Sequence, residues 1–391
     1  MGSSSIFEEF ITNKPLYYKE IDHERVHKAY AMLKPHITQP LTIHVVGTNG
    51  KGSTGRIMTT LLHESGVSVG HFSSPHILKF NERIWLEGKD SSDDELNIAH
   101  AKLYCILGEE MSDALSYFEY TTLLAFVAME KLDVMVLEAG LGGEFDATNV
   151  CSKALSVITP IGLDHQDFLG DTIESIARTK LNSMEKEVLL GLQVYDEVYT
   201  IADEIAKEKE VVIYRVEAEN FKELLESTEA LGWSDYLYEN AKLALRALAI
   251  LKLPYKLEDL KKVVLFGRFY PLFPNVIIDV GHNLLGAKAL SKALKKKYND
   301  EKVILVYNTL DDKDYESILS EFKDRVKCIE IIHIQTQRAL KEEHLKEVLD
   351  KLEITYKNFD ALVKSENYFV FGSFYVVEAF LKKIEFNFKN K

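Results

Sequence analysis

Short apolar runs alternate with longer helical patterns along the first two thirds of the chain. The runs are continuously apolar, which is typical of strands that are buried on both faces of a parallel sheet. We predict strands at residues 42–46, 69–72, 134–138, 154–158 and 188–191. Apolar residues at helical spacing predict helices at residues 54–65, 93–107, 117–131, 175–184 and 235–251. This alternation predicts an α/β domain with a doubly wound, mostly parallel sheet.

A second and shorter alternation follows a segment that carries glycine and proline. Residues 267–274 read Gly-Arg-Phe-Tyr-Pro-Leu-Phe-Pro, and this composition predicts a linker. Further strands are predicted at residues 275–279, 303–307, 328–333 and 368–371, with helices at 287–297 and 315–325 and a last helix at the C-terminus. We therefore predict a larger domain over residues 1–266 and a second, smaller Rossmann-like α/β domain over residues 275–391.

The most informative polar segment joins the first predicted strand to the first predicted helix. It reads Gly47, Thr48, Asn49, Gly50, Lys51, Gly52, Ser53 and Thr54. Glycines let backbone N–H groups approach an anion, and the helix N-terminus adds partial positive charge. Lys51 would neutralise terminal phosphates, and Ser53 or Thr54 would hold Mg²⁺. The glycine spacing is shorter than in the strict P-loop pattern, and an ordinary loop is the alternative. The strand before it and the helix after it favour a P-loop that binds nucleotide.

Composition and charge restrict the partners of the chain. Its 391 residues are 46% hydrophobic and 28% charged, as in an ordinary globular protein. The formal net charge of −14 disfavours nucleic acid and anionic membranes as partners. The three cysteines are far apart and have no paired spacing, which predicts a reducing cytoplasm without disulfides or a zinc site. Charged residues interrupt the most apolar long stretch, residues 121–141, so we expect no membrane span. We also expect the protein to be cytoplasmic and a monomer.

Polar side chains also follow other predicted strands at their carboxyl ends, where open parallel sheets place ligands. Ser73, Ser74, Pro75 and His76 follow the second strand, with Arg83 shortly after. This segment is either an ordinary turn or a loop that lends a hydroxyl to a metal. Glu138 ends the third strand before a cluster of glycines. Its carboxylate is either capped by the glycine turn or a metal ligand, and the glycines favour the ligand.

Two further groups leave a structural and a functional interpretation open. His165 follows the fourth strand and is either a packed histidine or a ligand of Mg²⁺, and Lys180 is either a surface lysine or directed at the metal. In the second domain, Asp279 ends a strand and His282 begins a turn. Asn283 there predicts a helix N-cap, whereas the functional alternative is a contact to nucleotide.

Taken in order, these segments resemble the folylpolyglutamate synthases of the Mur ligase superfamily, which in bacteria are often also dihydrofolate synthases. The resemblance covers about residues 41–374 and rests on the whole set of motifs. The motifs are Gly-Thr-Asn-Gly-Lys-Gly-Ser, Ser-Ser-Pro-His with Glu-Arg-Ile, Leu-Glu-Ala-Gly-Leu-Gly-Gly with Asp-Ala-Thr-Asn, Leu-Asp-His with Leu-Gly, Glu-Asn-Ala, Gly-Arg-Phe, Asp279 with His282 and Asn283, and Gly-Ser-Phe.

The resemblance implies roles for individual residues. Residues 1–266 would form an ATP-binding P-loop domain and residues 275–391 a glutamate ligase domain. The P-loop would hold ATP together with Asn240, Arg268, Asp279 and His282. Two Mg²⁺ ions would be held by Ser53, Ser73, Glu138 and His165. The catalytic residues would be Lys51, His165 and Lys180, and Lys180 matches the family lysine that CO₂ converts to a carbamate. Contacts to the substrate would come from Ser74, Pro75, His76, Arg83 and Asp146.

The chain departs from the family pattern at a few positions. Phe266 stands where a proline usually precedes Gly-Arg, and Val280-Gly281 replaces Gly-Ala. Leu181-Asn182-Ser183 replaces the usual Ala-Gly-Ile after the lysine. Glu144 stands where arginine is common, which removes a local positive charge and puts an anion contact there in doubt.

The implied reaction is ATP-dependent amide formation. ATP would phosphorylate a carboxylate of dihydropteroate or of a reduced folate, and the amine of L-glutamate would attack the acyl phosphate. One alternative is a peptidoglycan-precursor ligase of the same superfamily, and the Ser-Ser-Pro-His loop and the two-domain chain argue against it. Another is a nucleotide-binding module without turnover, against which the joint presence of Glu138, His165 and Lys180 argues.

Overall fold

The computed structural model describes residues 6–15, 22–216, 221–299 and 301–386. The chain folds into two compact units. The larger unit comprises the described residues up to Gly162, with Asp167–Ser227 and Glu239–Val263. The smaller unit comprises Leu163–Gln166, Thr228–Tyr238 and the described residues from Val264 onward. The short segment Leu163–Gln166 therefore belongs to the smaller unit, although its neighbours in sequence belong to the larger one.

The larger unit is built on an eight-stranded sheet. Its strands are β1 Leu41–Val46, β2 Val69–Phe72, β3 Ile84–Leu86, β4 Lys89–Asp90, β5 Val134–Glu138, β6 Leu155–Ile158, β7 Glu187–Leu190 and β8 Val212–Arg215. The spatial order is β4-β3-β2-β5-β1-β6-β7-β8. The pairings are parallel except for those of β2 with β3 and of β3 with β4. The predicted mostly parallel, doubly wound sheet is confirmed, and β1 lies at its centre between β5 and β6.

Ten helices of the first two thirds of the described chain surround or follow these strands. They are α1 Ile6–Thr12, α2 His23–Leu33, α3 Lys51–Glu64, α4 Asp93–Ala114, α5 Tyr117–Met129, α6 Gln166–Leu169, α7 Ile173–Leu181, α8 Asp196–Lys209, α9 Lys222–Ala230 and α10 Asp235–Ile250. Ser92 and Ser116 begin α4 and α5 with capping boxes, in which each serine pairs with a glutamate three residues later. One apolar cluster packs α4 and α5 against β2 and β5, and another packs α7 and α8 against β6 and β7.

The smaller unit has a six-stranded sheet of its own. Its strands are β9 Tyr270–Phe273, β10 Val276–Ile278, β11 Val303–Tyr307, β12 Val326–Ile331, β13 Tyr356–Asn358 and β14 Tyr368–Phe371, in the order β13-β12-β11-β14-β10-β9. Its further helices are α11 Leu284–Tyr298, α12 Tyr315–Phe322, α13 Glu342–Lys351 and α14 Phe374–Lys383. Only β9 pairs antiparallel among these described strands. A second, smaller Rossmann-like α/β unit is therefore confirmed.

The segment that was predicted as a linker, residues 267–274, contains the edge strand β9. Tyr270 and Leu272 are half-buried, whereas Pro271 and Phe273 are exposed, so the segment has the period of a strand with one covered face. Proline donates no hydrogen bond, and an edge strand tolerates it because one side of its backbone needs no partner. The turn-forming residues of this segment thus give it an edge position in the sheet instead of an unpaired loop.

Two further findings concern membrane-spanning helices and the cysteines. Among the described residues, no helix combines the length and the apolar character that a bilayer crossing requires. All three cysteines are free thiols.

Candidate active site

The loop between β1 and α3 has the geometry of a phosphate-binding turn. The helix begins at Lys51, directly after Gly50, whose φ of +89° is in the left-handed region. A Cβ atom at Gly50 would lie only 2.5 Å from Oδ1 of Asn240. Glycine is therefore required here both by the backbone angle and by the approach of Asn240. The loop and Asn240, which were predicted to bind ATP, lie together within the larger unit.

Two lysine ammonium groups converge on one carbonyl of this loop. Lys51 Nζ donates to the carbonyl oxygens of Gly47, at 3.1 Å, and Thr48, at 3.2 Å. Lys180 Nζ donates to the same Gly47 oxygen at 3.0 Å. Lys180 is only 4% exposed, so the surface-lysine alternative is wrong. With both lysines unmodified, the arrangement concentrates positive charge at the start of α3, where an anionic ligand would be stabilised.

Two hydroxyl groups at the start of α3 fit a further ligand. Ser53 and Thr54 are buried, and neither hydroxyl oxygen has a hydrogen-bond partner in the described part of the chain. Buried polar atoms normally have partners, so these oxygens are suited to an ion or a phosphate. Glu138, at the end of β5, is 5% exposed, and its Oε2 accepts from the backbone N–H of Ser74 at 3.3 Å. Hydroxyl and carboxylate oxygens are the donor set that Mg²⁺ prefers.

The loop after β2 is held by an arginine. The Ser74–Pro75 peptide bond is cis, and Ser73 N–H donates to the carbonyl of Arg83 at 2.9 Å. Arg83 Nε donates to Nδ1 of His76 at 2.8 Å. Burial, together with the Arg83 charge, lowers the pKa of His76 to about 4. His76 is therefore neutral near neutral pH, and its Nδ1 remains an acceptor. Ser73, Ser74, Pro75 and His76, predicted to contact substrate or metal, therefore share one loop, and Arg83 contacts it from the short helical turn that follows.

The glycine loop after β5 lies directly against the backbone of Lys180. A Cβ atom at Gly143 would be 2.7 Å from the Lys180 carbonyl oxygen, so only glycine fits without a shift. Glu144 N–H donates to the carbonyl of Thr179 at 2.9 Å, and Asn182 Nδ2 donates to Glu144 Oε2 at 2.9 Å. Glu144 and Asn182, which each depart from the family pattern, are thus partners of one another.

Asp146 shapes the same loop. Its carboxylate accepts from Leu141 N–H at 2.8 Å, Thr148 N–H at 2.9 Å and Thr148 Oγ1 at 2.6 Å. His44 Nε2 lies 2.8 Å from Thr148 Oγ1, and because that hydroxyl donates to Asp146, His44 is the donor. Burial raises the pKa of Asp146 although these hydrogen bonds lower it. The structure gives Asp146 a role in the loop, and a contact to substrate stays a prediction.

In the smaller unit, Asp279 closes the turn after β10. Its Oδ2 accepts from Phe269 N–H at 2.7 Å and from the Tyr236 hydroxyl at 2.9 Å, and its Oδ1 accepts from Gly281 N–H at 2.7 Å. Burial raises the pKa of Asp279, and the Arg268 charge opposes that rise. The Arg268 guanidinium lies 5.2 Å from the centre of the Phe374 ring.

A carboxylate that the sequence prediction missed lies beside His165 and His282. Asp164 Oδ1 accepts from Lys313 Nζ at 2.7 Å, and its Oδ2 accepts from Asn283 Nδ2 at 3.0 Å. His282 Nε2 is 3.4 Å from the same Oδ2. Asn283 Oδ1 accepts from Gly286 N–H at 2.9 Å, which confirms the predicted N-cap of α11. Lys313 lies in the loop after β11, and no motif in the sequence marked it.

The predicted residues are therefore divided by unit. Ser53, Ser73 and Glu138 of the predicted metal set belong to the larger unit, as does Asn240 of the ATP set. His165 of the metal set belongs to the smaller unit, with Arg268, Asp279 and His282 of the ATP set. Ligand atoms of Asp164, His165 and His282 lie within 4.8 Å of one another. The joint metal and nucleotide assignments stay predictions.

The larger unit has a P-loop at the end of a central parallel strand, with two lysines on the first carbonyl of that loop. The smaller unit is Rossmann-like. Together they define a nucleotide-binding α/β protein with the Mur ligase-like fold. No protein-family model matches the chain. The dihydrofolate synthase/folylpolyglutamate synthase of Haemophilus influenzae is 32% identical in an alignment 397 residues long, and the alignment covers 88% of this chain and 89% of that protein. This chain belongs to the dihydrofolate synthase/folylpolyglutamate synthase family.

Solved structures agree with that membership. The folylpolyglutamate synthetase of Helicobacter pylori is 39% identical, with a TM-score of 0.81, and the match covers 98% of this chain and 100% of that one. Escherichia coli FolC in complex with DHPP and ADP is 30% identical, with a TM-score of 0.81 and 96% of each chain covered. A bifunctional folylpolyglutamate synthase/dihydrofolate synthase with Mn, AMPPNP and L-glutamate bound is 28% identical, with a TM-score of 0.82 and 98% of each chain covered.

Proposed function

We propose that this chain is an ATP-dependent ligase that joins L-glutamate to dihydropteroate, to the glutamate tail of reduced folates, or to both. The observation that carries the proposal is the meeting of Lys51 and Lys180 at the Gly47 carbonyl of the P-loop, beside the buried Ser53 hydroxyl. The related structures that hold ADP with DHPP, and AMPPNP with L-glutamate, support the same substrates here.

The chemistry begins with a carboxylate that resists attack by an amine. Transfer of the ATP γ-phosphoryl group to a carboxylate oxygen makes an acyl phosphate and releases ADP. The glutamate nitrogen then bonds to the acyl carbon, the carbon–oxygen bond to phosphate breaks, and the amine loses a proton. Lys51 would move from the backbone carbonyls to the phosphates and stabilise their charge.

The divalent metal that the related Mn-bound structure contains fits this chain. We propose that Ser53, Ser73, Glu138 and His165 hold two Mg²⁺ ions, with Ser53 and Glu138 the best supported because both side chains are buried in the larger unit. Bound Mg²⁺ would neutralise charge on the transferring phosphoryl group. Carbamylated Lys180 would add an anion there, and its burial against Gly47 is compatible with that modification.

The remaining roles are proposals of the same kind. We propose that residues 1–266 bind ATP and that residues 275–391 act as the glutamate ligase domain. Asn240, Arg268, Asp279 and His282 would contact ATP, and Ser74, Pro75, His76, Arg83 and Asp146 would contact the acceptor. We also propose a cytoplasmic monomer, and the three free thiols fit a reducing compartment. Light scattering of the purified chain tests the monomer.

One assay separates the possible acceptors. Phosphate release is measured with ATP and L-glutamate, adding dihydropteroate, tetrahydrofolate or a peptidoglycan precursor in parallel, and each product is identified by mass. We expect a mass increase of one glutamyl residue with the first or second acceptor, and none with the third. Lys51→Ala should fold but lose turnover by several orders of magnitude, because the phosphate clamp is lost. The proposal would be refuted if a glutamyl product formed only with the peptidoglycan precursor, or if it formed with none of the three acceptors.

A further inference from the structure

One carboxylate joins three separate segments of the smaller unit. Asp164 lies in the short segment Leu163–Gln166, Lys313 lies in the loop after β11, and Asn283 begins α11. Lys313 Nζ donates to Asp164 Oδ1 at 2.7 Å, and Asn283 Nδ2 donates to Oδ2 at 3.0 Å. These residues are 149 and 119 positions apart from Asp164 in the sequence. The Asp164 carboxylate is therefore the point at which the three segments are tied together.

The Asp164 carboxylate is buried, and both of its oxygens accept hydrogen bonds. The side chains of Lys313 and Asp164 are 5% and 6% exposed. Removing one partner of such a pair leaves an uncompensated buried charge, so the contact matters more than a surface ion pair. Most surface pairs contribute little by comparison.

A separate metal site on these residues is the obvious alternative. Asp164, His165 and His282 offer ligand atoms within 4.8 Å of one another. Both carboxylate oxygens, however, already accept from other groups, and one faces an ammonium at 2.7 Å. A cation placed against Asp164 would meet the charge of Lys313 and displace these donors. The geometry therefore favours a structural carboxylate that orients its neighbours.

The neighbour that Asp164 orients most directly is His165. The His165 backbone N–H donates to Asp164 Oδ1 at 2.9 Å, and the φ of His165 is +53°, in the left-handed region. A side chain other than glycine enters this region at a cost and persists there only when its surroundings hold it. The direction in which His165 leaves the backbone thus depends on the Asp164 carboxylate. The same carboxylate lies 3.4 Å from Nε2 of His282.

We propose that Asp164 and Lys313 are positioning residues of the ligase reaction, which together set the orientation of His165 and His282. This inference rests on the proposed function, in which His165 holds metal and His282 contacts ATP. Neither Asp164 nor Lys313 needs to touch a substrate. Lys313 holds the carboxylate, and the carboxylate holds the turn that presents the two histidines. Partners that orient metal ligands in this way typically change metal affinity or activity by about 10- to 100-fold when they are removed.

The test compares Lys313→Met with Lys327→Met. Lys327 pairs with Glu366 on the surface of the same unit, and its side chain is 42% exposed, so its loss controls for removal of one positive charge. Binding of Mn²⁺ in the presence of ADP is measured by electron paramagnetic resonance, and kcat is measured at saturating substrates. We expect Lys313→Met to weaken Mn²⁺ binding and to lower kcat by about 10- to 100-fold. Lys327→Met should keep both its Mn²⁺ affinity and its kcat within about twofold of those of the original protein.

Three further variants separate a loss of positioning from a simple failure to fold. Asp164→Asn keeps the shape of the side chain and loses its charge, and Lys313→Met/Asp164→Asn removes both charges of the pair. The double variant should unfold at a higher temperature than Lys313→Met, because no single charge stays buried, yet bind Mn²⁺ as weakly. Lys313→Arg should recover part of the affinity.

The proposal is overturned if the folded variants bind Mn²⁺ with the original affinity and differ only in thermal stability. Failure of the proposed function is a different result, namely an original protein that makes no glutamyl product. The Mn²⁺ measurement reports on positioning without requiring turnover, so the two failures are distinguishable.

Discussion

Replacing Gly143 with alanine should displace Lys180 and leave the apolar core intact. The added Cβ would lie 2.7 Å from the Lys180 carbonyl oxygen, 3.0 Å from its Cα and 3.1 Å from Ser183 Oγ. Ordinary contacts of a Cβ begin at 3.4 Å, so the oxygen must move by about 0.7 Å. The Ser183 hydroxyl can rotate, but the backbone of Lys180 is part of α7 and moves only with its helix.

The expected magnitude follows from that displacement. Inserting one carbon into a closely packed contact typically costs about 1–3 kcal/mol of folding free energy. A misplacement of roughly 1 Å near a reacting group can cost on the order of 100-fold in rate. We therefore expect Gly143→Ala to remain folded and to lose kcat by about 10- to 100-fold, since Lys180 Nζ is placed against the P-loop at Gly47.

The assay measures kcat for glutamyl transfer and the midpoint of thermal unfolding in parallel. Gly66→Ala is the matched control, because Gly66 has a φ of +83° in the same unit but nothing within 4 Å of an added Cβ. It should lose about 1 kcal/mol of stability through backbone strain and keep its kcat. If folded Gly143→Ala turns over within about twofold of Gly66→Ala, the argument that the glycine loop places Lys180 is refuted.

Three other perturbations test separate parts of the site. Glu144→Ala and Asn182→Ala should each destabilise the protein by about 1 kcal/mol, while the double variant costs about the same as either single one in urea unfolding. Additive losses would exclude the contact. Lys180→Ala should be nearly inactive, and acetate should restore part of the rate by supplying an anion in place of the carbamate. An alanine variant with full activity would exclude that role. Burial, with the Lys153 charge, lowers the pKa of His44 to about 3, so its protonation opposes folding as the pH falls from about 6.5 toward 3. Between pH 7 and pH 5, the free energy of unfolding in urea should therefore fall by about 2 kcal/mol more for the original protein than for the His44→Gln variant. Equal losses would contradict the burial of a neutral imidazole.

The elements that the sequence predicted best are strands buried on both faces. Residues 69–72, 134–138, 303–307 and 368–371 were predicted with the bounds that the structure has. The last three are apolar runs with polar residues or glycine at their ends, whereas residues 69–72 contain His71. Strand β8 was not predicted, although residues 211–214 read Val-Val-Ile-Tyr, and it lies at the edge of its sheet with Val212 and Arg215 exposed. A peripheral strand owes its place to its neighbour in the sheet, and that pairing is not visible in its own four residues.

The same difference separates the site residues. Lys51 and Glu138 are recognisable because the chemistry lies in a short stretch of chain between a strand and a helix or turn. The ion pair of Asp164 with Lys313 links residues that are 149 positions apart, and no local pattern announces it. Glu144 and Asn182 appeared in the sequence as two unrelated departures from the family pattern. In the structure they are hydrogen-bonded to one another across 38 positions.

The central place of β1 in its sheet also has a consequence for synthesis of the chain on the ribosome. The residues of β1 pair with β5 and β6, and their partners lie roughly a hundred positions later in the sequence. At about 5–20 residues per second, the ribosome delivers those partners on the order of ten seconds after β1 itself. During that interval the nascent P-loop has neither of its two flanking strands. Nucleotide binding should therefore first appear in nascent chains that have released residue 158, and shorter N-terminal fragments should depend on chaperones to cover the exposed edges of β1.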